Sequence, residues 1–174
     1  GFQGKEVEVG VFNAFAPIVH LGALQTIAES LGLDLLSIAA EPYALARSVG
    51  EQESVEFSAI FLDVGGGTTD VAVVRSGGVE GTKMFALGGR AFTKRIAQTT
   101  NSSFVKAEEL KLAYSAGDLP DKKYDQIKKA LASDAQVWIA GVELALEEFA
   151  QDLLPSRIFL AGGGSNLPEI PHVL

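Results

Sequence analysis

Asp63-Val64-Gly65-Gly66-Gly67-Thr68-Thr69-Asp70 is the stretch on which the reading of this chain turns. It lies between two runs rich in β-branched and aromatic residues, Phe57 to Val64 and Asp70 to Arg75, so it joins strand to strand. Consecutive glycines predict positive φ angles and backbone N–H groups that converge on one point, a nest for anionic oxygens. Thr68 and Thr69 add hydroxyl donors beside the nest. Asp63, at the end of the first strand, sets a carboxylate next to the anion, and a bridging cation such as Mg²⁺ makes two negative groups compatible there. The turn therefore predicts a metal nucleotide rather than a bare phosphate.

Other phosphate loops do not fit. A P-loop needs Gly-Lys-Ser/Thr entering a helix, and the dinucleotide fingerprint needs strand, turn and helix. The competing reading is a plain glycine-rich hairpin, against which stand the flanking aspartates and the two threonines.

Working outward, Ser76-Gly77-Gly78 turns the chain into a third strand, Val79 to Leu87, which completes a β-meander. Toward the N-terminus, Val7 to Phe12 reads as a strand. Ile18, Leu21, Leu24, Ile27 and Leu31 follow Pro17 at helical spacing. Leu35 to Ala39 reads as a second buried strand, Glu41-Pro42 to Val49 as a short helix, and the polar run Glu51 to Glu56 as a connector. Beyond Gly88-Gly89 the pattern is helical over Arg90 to Thr100, Ser103 to Ser115 and a long amphipathic segment from Tyr124 to Leu153. Trp138, Ile139, Val142, Leu146 and Phe149 form its core stripe. A last strand, Arg157 to Leu160, runs into Ala161-Gly162-Gly163-Gly164-Ser165-Asn166. The order predicts an α/β fold, a mixed β-sheet flanked by helices.

The bulk numbers narrow the function classes. A chain of 174 residues, 47% hydrophobic, can hide roughly 70% of its unfolded surface in one core. A net charge of −8 with scattered Lys and Arg argues against nucleic acid and anionic membrane as partners. No cysteine is present, which excludes disulfides and a thiolate metal site, and the only histidines, His20 and His172, read as structural, leave little for a zinc ligand set. No signal-peptide pattern opens the sequence, and no apolar run reaches the ~20 residues of a membrane span. A cytoplasmic chain with no membrane span is expected.

At the second glycine-rich turn, small residues would let a flat base and ribose lie against backbone, with Ser165 and Asn166 as polar contacts. Together these segments resemble the actin and heat-shock-chaperone ATPase superfamily, in particular the bacterial actin-like proteins related to the cell-division protein FtsA and the pilus-assembly protein PilM. Asp63 to Asp70 is similar to its second phosphate motif. Gly162 to Ser165 resembles its adenosine motif, and Ala40-Glu41-Pro42-Tyr43-Ala44-Leu45-Ala46 its first connecting helix.

The resemblance implies a ribonuclease-H-like, actin-like ATPase lobe with ATP and Mg²⁺ as ligands. Asp63 would hold Mg²⁺ through water, and Gly65, Gly66, Gly67, Thr68 and Thr69 would bind phosphate, with Asp63 and Thr68 in catalytic positions. Glu41 would polarise the attacking water, although a Glu before Pro also serves as a helix-start residue. Gly88 and Gly89 resemble the family's third glycine contact. Glu108 and Lys111, three apart on one helical face, would clasp the ribose, with a surface ion pair as the alternative. Gly162, Gly163, Gly164, Ser165 and Asn166 would take the adenosine.

The family's first lobe carries its own Asp-x-Gly phosphate loop, and Asp63-Val64-Gly65 is the only Asp-x-Gly here. The resemblance thus implies a fragment: residues 1–50 the tail of the first lobe and connecting helix, and 51–174 the second lobe. Between Ser115 and the long helix stands only Ala116 to Asp121, which implies a small helical outer subdomain. The expected partners are nucleotide, the missing first lobe, and possible self-assembly or assembly-protein partners. The function implied is a slowly hydrolysing switch or assembly scaffold, in cell division or, PilM-like, in pilus assembly. A sugar-kinase-type phosphotransferase and an interaction module with a vestigial site are the other readings; the first would need a catalytic Asp that has no equivalent here.

Overall fold

The computed structural model describes residues 4, 6, 11, 13–50, 57–150 and 152–174. Two helices, α1 (Ile18–Ser30) and α2 (Glu41–Gly50), precede the meander β1 (Ala59–Val64), β2 (Thr69–Arg75) and β3 (Gly78–Phe85). Three helices follow, α3 (Gly89–Thr100), α4 (Phe104–Ala116) and α5 (Asp121–Glu147). The chain then forms β4 (Ile158–Ala161), a 3-10 turn over Gly163–Asn166, and α6 (Glu169–Val173). The sheet order is β3-β2-β1-β4, with β1 parallel to β4 and the other pairs antiparallel. This is the expected mixed sheet flanked by helices.

The apolar runs of β1 and β2 are continuous because both faces of the sheet are covered. Strand alternation divides them. Ile60, Leu62, Val64, Val71 and Val73 share one core with Phe92 and Ile96 of α3, Leu110 and Tyr114 of α4, Trp138 and Val142 of α5, and Ile170 of α6. Ala59, Phe61, Ala72 and Val74 face the other way and pack with Phe57 and Ala46 of α2. The pairing register holds the two sets together, with Leu62 opposite Val71 and Phe61 opposite Ala72. Phe61 stacks on Phe159 across the parallel pair at 5.2 Å between ring centroids.

Several boundaries move for identifiable reasons. The buried strand expected over 35–39 is absent: these residues have no regular structure, and Leu36 is 94% exposed. A strand exists only through its ladder, and none of the described strands pairs with this segment. The expected strand Val7 to Phe12, Val11 apart, and the connector Glu51 to Glu56 lie outside the described residues. The long helix starts earlier than expected, at Asp121 behind Pro120, where a proline costs no helical hydrogen bond. It ends at Glu147 rather than Leu153. There Arg75 of β2 donates to the carbonyls of Phe149 and Leu153, drawing them out of helical register. Sequence reading missed α6 because of its two prolines; both stand at the helix start, where a missing N–H is tolerated.

The apolar stripe of α1 is not buried: Ile18, Leu24, Ile27 and Leu31 are all exposed.

Candidate functional site

Four glycine-bearing or charged segments meet at one end of the sheet. The β1–β2 hairpin closes with Gly65 N–H donating to the Thr68 carbonyl at 2.9 Å. The start of α3 then docks on it: Gly89 N–H donates to the Gly65 carbonyl at 2.8 Å, and Arg90 N–H to the Gly66 carbonyl at 2.7 Å. On the other side, β4 runs parallel to β1 with Ala161 opposite Asp63, delivering Gly162 to Asn166 beside the same hairpin.

The glycines do different work from that expected. None of Gly65, Gly66 and Gly67 takes a positive φ, so the nest is not built on left-handed residues. What Gly66 and Gly67 supply is an exposed, bare backbone with open space where side chains would stand. Close approach is required elsewhere. A Cβ on Gly88 would lie 2.5 Å from the Gly65 carbonyl oxygen and 2.9 Å from that of Thr68. Gly162, at φ +78°, would drive a Cβ to 2.5 Å from the Val64 carbonyl oxygen, and Gly164 one to 2.5 Å from Val64 Cγ1. Gly163 is open, while Ser165 Oγ and Asn166 Nδ2 donate back to the carbonyls of Gly162 and Gly163.

Thr68 and Thr69 part company by strand alternation. Thr68 is half-buried on the side of Asp70, with its hydroxyl 3.5 Å from Asp70 Oδ2. The hydroxyl of Thr69, expected at the anion, is fully buried instead: it donates to the Leu87 carbonyl at 2.7 Å and accepts from the Trp138 indole at 2.9 Å. Thr69 thus supports the hairpin from behind.

Three carboxyl groups crowd the same end. Glu41, from the first turn of α2, has its carboxyl held above the ordinary range by a hydrogen bond to Asp63, by the charge of Asp63, by some burial and by the charge of Asp70. Asp70 is also pushed up, first by burial and then by the charge of Asp63, against the Thr68 hydrogen bond. A cation would relieve this crowding. Among the described residues, however, no group of three acidic, His or Cys side chains is placed to hold an ion by itself.

Glu108 and Lys111 of α4 reach the Gly88-Gly89 turn. Lys111 Nζ pairs with Glu108 Oε1 at 2.9 Å and donates to the Gly89 carbonyl at 3.2 Å. Sequence reading missed Thr93, which is fully buried one helical turn beyond Gly89 and touches both side chains. It also missed the Trp138 indole. Only a spacing of four from Gly89 could have pointed to Thr93.

A family model for cell division protein FtsA matches residues 60–174, and one for MreB/Mbl protein matches residues 5–111. The chain belongs to the actin-like family of FtsA and MreB. Cell division protein FtsA of Pseudomonas aeruginosa (strain PAO1) is 26% identical over 190 residues, covering 96% of this chain and 45% of that protein. This actin-like chain spans less than half the length of the FtsA relatives it matches, 45% and 41% in two of them. In fold it is similar to the PilM-PilN type IV pilus biogenesis complex, with a TM-score of 0.69 at 24% identity over 88% of this chain and 43% of that one. It is also similar to MreB5 of Spiroplasma citri bound to AMPPNP, with a TM-score of 0.62 at 20% identity over 91% and 57%. No helix among the described residues is long and apolar enough to cross a membrane.

Proposed function

We propose that this chain carries the phosphate- and adenosine-binding half of an ATP site in an actin-like protein that acts in the cytoplasm as a switch or assembly scaffold in cell division. The observation that carries this reading is the convergence of the hairpin, the Gly88-Gly89 turn, the Glu108–Lys111 pair and the Gly162–Asn166 turn at one end of the sheet. The fold likeness to an MreB bound to AMPPNP agrees with it.

In this reading the bare backbone of Gly65 to Gly67 and the Thr68 hydroxyl receive the phosphates, and the 3-10 turn receives the adenosine. Asp63 holds Mg²⁺ through water, and the ion supplies charge neutralisation between carboxylate and phosphate. Glu41, whose carboxyl faces Asp63, orients the water that attacks in the full-length protein. Turnover is slow and paces assembly with copies or partner proteins. Residues 51–174 form the second lobe with a small helical outer subdomain, and residues 1–50 belong to the first lobe and connecting helix. The exposed stripe of α1 suits burial against the rest of that first lobe.

A site holding half of its phosphate ligands binds weakly. Losing three charge-assisted hydrogen bonds of about 1.5 kcal/mol each lowers affinity by roughly a thousandfold. Titration with Mg-ATP, followed by amide NMR shifts, tests the reading. Shifts are expected at Gly65 to Thr69, around Lys111 and at Gly162 to Asn166, diminished in Asp63→Ala. No shift at several millimolar nucleotide, in this chain and in the full-length protein alike, would sink it.

The likeness to the PilM-PilN complex supports a second reading, pilus assembly. Deleting the gene separates the two: filamentous undivided cells support the division role, and normal division with loss of pili supports the other.

A further inference from the structure

The polar cluster behind the Gly88-Gly89 turn can be counted donor by donor. Lys111 is 8% exposed, and its ammonium has three N–H groups. They meet three acceptors: Glu108 Oε1 at 2.9 Å, Thr93 Oγ1 at 3.0 Å and the Gly89 carbonyl at 3.2 Å. No donor of Lys111 is left for a ligand. Thr93 has one hydroxyl proton and two acceptors in reach, Glu108 Oε2 at 2.5 Å and the Gly89 carbonyl at 3.0 Å. The carboxylate is the closer and stronger acceptor, so the proton goes there and the carbonyl is left to Lys111.

Glu108 therefore has one oxygen held by Lys111 and the other by Thr93. Each oxygen keeps a second acceptor direction, and the side chain is 38% exposed. A carboxylate fixed in this way presents two parallel acceptors, the complement of two adjacent hydroxyl groups.

We propose that Thr93 is a positioning residue that fixes the Glu108 carboxylate as a two-point acceptor for the vicinal diol of a ribose, with Lys111 acting through Glu108 rather than on the sugar. This rests on the nucleotide reading above. Because Thr93 is fully buried, it acts without touching the ligand. Its effect is orientation: without it the carboxylate is anchored at one oxygen and can turn about its terminal bond.

The test compares binding of Mg-ATP and of its 2′,3′-dideoxy analogue to the wild-type chain, Thr93→Val and Thr93→Ser, with the Glu108 side-chain carbon titrated without nucleotide. In the wild type, ATP should bind about tenfold more tightly than the analogue. Thr93→Val should cut that ratio about fivefold or more and raise the Glu108 titration midpoint, whereas Thr93→Ser should keep both near wild type. The proposal is overturned if Thr93→Val, with a native amide spectrum, leaves either the ratio or the midpoint unchanged. Failure of either nucleotide to bind, in this chain and in the full-length protein alike, would instead sink the nucleotide reading, and the diol assignment with it. Equal binding of the two nucleotides would overturn the diol assignment alone.

Discussion

The indole nitrogen of Trp138 lies 2.9 Å from Thr69 Oγ1, which in turn donates to the Leu87 carbonyl at 2.7 Å. This buried chain of hydrogen bonds ties the middle of α5 to the base of the hairpin and to the segment between β3 and α3. Thr69→Val keeps the volume but leaves a buried indole N–H without an acceptor, a cost of about 1–3 kcal/mol. For a chain of this size, each kcal/mol lowers Tm by about 2–4 °C, and thermal unfolding should show that drop. Thr69→Ser should retain most of the stability. Trp138 is the only tryptophan, so its fluorescence reports the change directly; an unchanged Tm and spectrum would refute the coupling.

Glu41 is held above the ordinary carboxyl range first by its hydrogen bond to Asp63 and then by the charge of Asp63. A carboxyl raised by folding contributes stability below its unfolded midpoint and loses it as pH rises through the folded one. At neutral pH the Glu41–Asp63 pair is therefore a liability in the free chain. Asp63→Asn should move the Glu41 side-chain titration downward and raise stability at neutral pH, while weakening any response to Mg-ATP. A Glu41 midpoint unchanged in the variant would contradict the assigned cause.

Gly162 combines φ +78° with a Cβ position only 2.5 Å from the Val64 carbonyl oxygen. Gly162→Ala should cost about 1–3 kcal/mol from the backbone conformation alone, and more from the clash. Urea unfolding measures the total. Gly163→Ala, at a position with open space, is the control and should stay within about 0.5–1 kcal/mol of wild type.

Arg75 binds the carbonyls of Phe149 and Leu153 and pairs with Glu80. Arg75→Gln should release the segment after α5, seen as faster amide exchange from Phe149 to Leu154. Exchange at Ile127 to Ala135, in the buried middle of the helix, should not change. Equal protection throughout in the variant would show that the carbonyls have other support.

Much of this arrangement was legible in the residues. Two β-rich runs around a glycine triplet read as a hairpin, and the stripe Trp138, Ile139, Val142, Leu146 and Phe149 reads as the core face of a helix. Trp138 and Val142 are buried there, and the stripe extends back to Ile127, Leu131 and Ala135, which the sequence reading did not name. What local patterns do not carry is the pairing of distant segments. Thr69 looks like a site hydroxyl until Trp138, far along the chain, is seen to donate its indole N–H to it within the core. Thr93 carries no motif at all; its role appears once α4 packs on α3. The run Leu35 to Ala39 has the composition of a buried strand, yet composition does not supply a neighbouring ladder.

The parallel pairing of β1 with β4 also sets when the two glycine-rich turns can come together. The β1–β2–β3 meander closes through short loops, whereas β4 can pair only after α3, α4 and α5 have been traversed, a long loop whose closure is slow. Gly162 and Gly164, seated on Val64, are delivered with it. A chain still emerging from the ribosome, with β4 not yet made, therefore cannot present both glycine-rich turns together. The two turns stand side by side only once β4 has paired with β1.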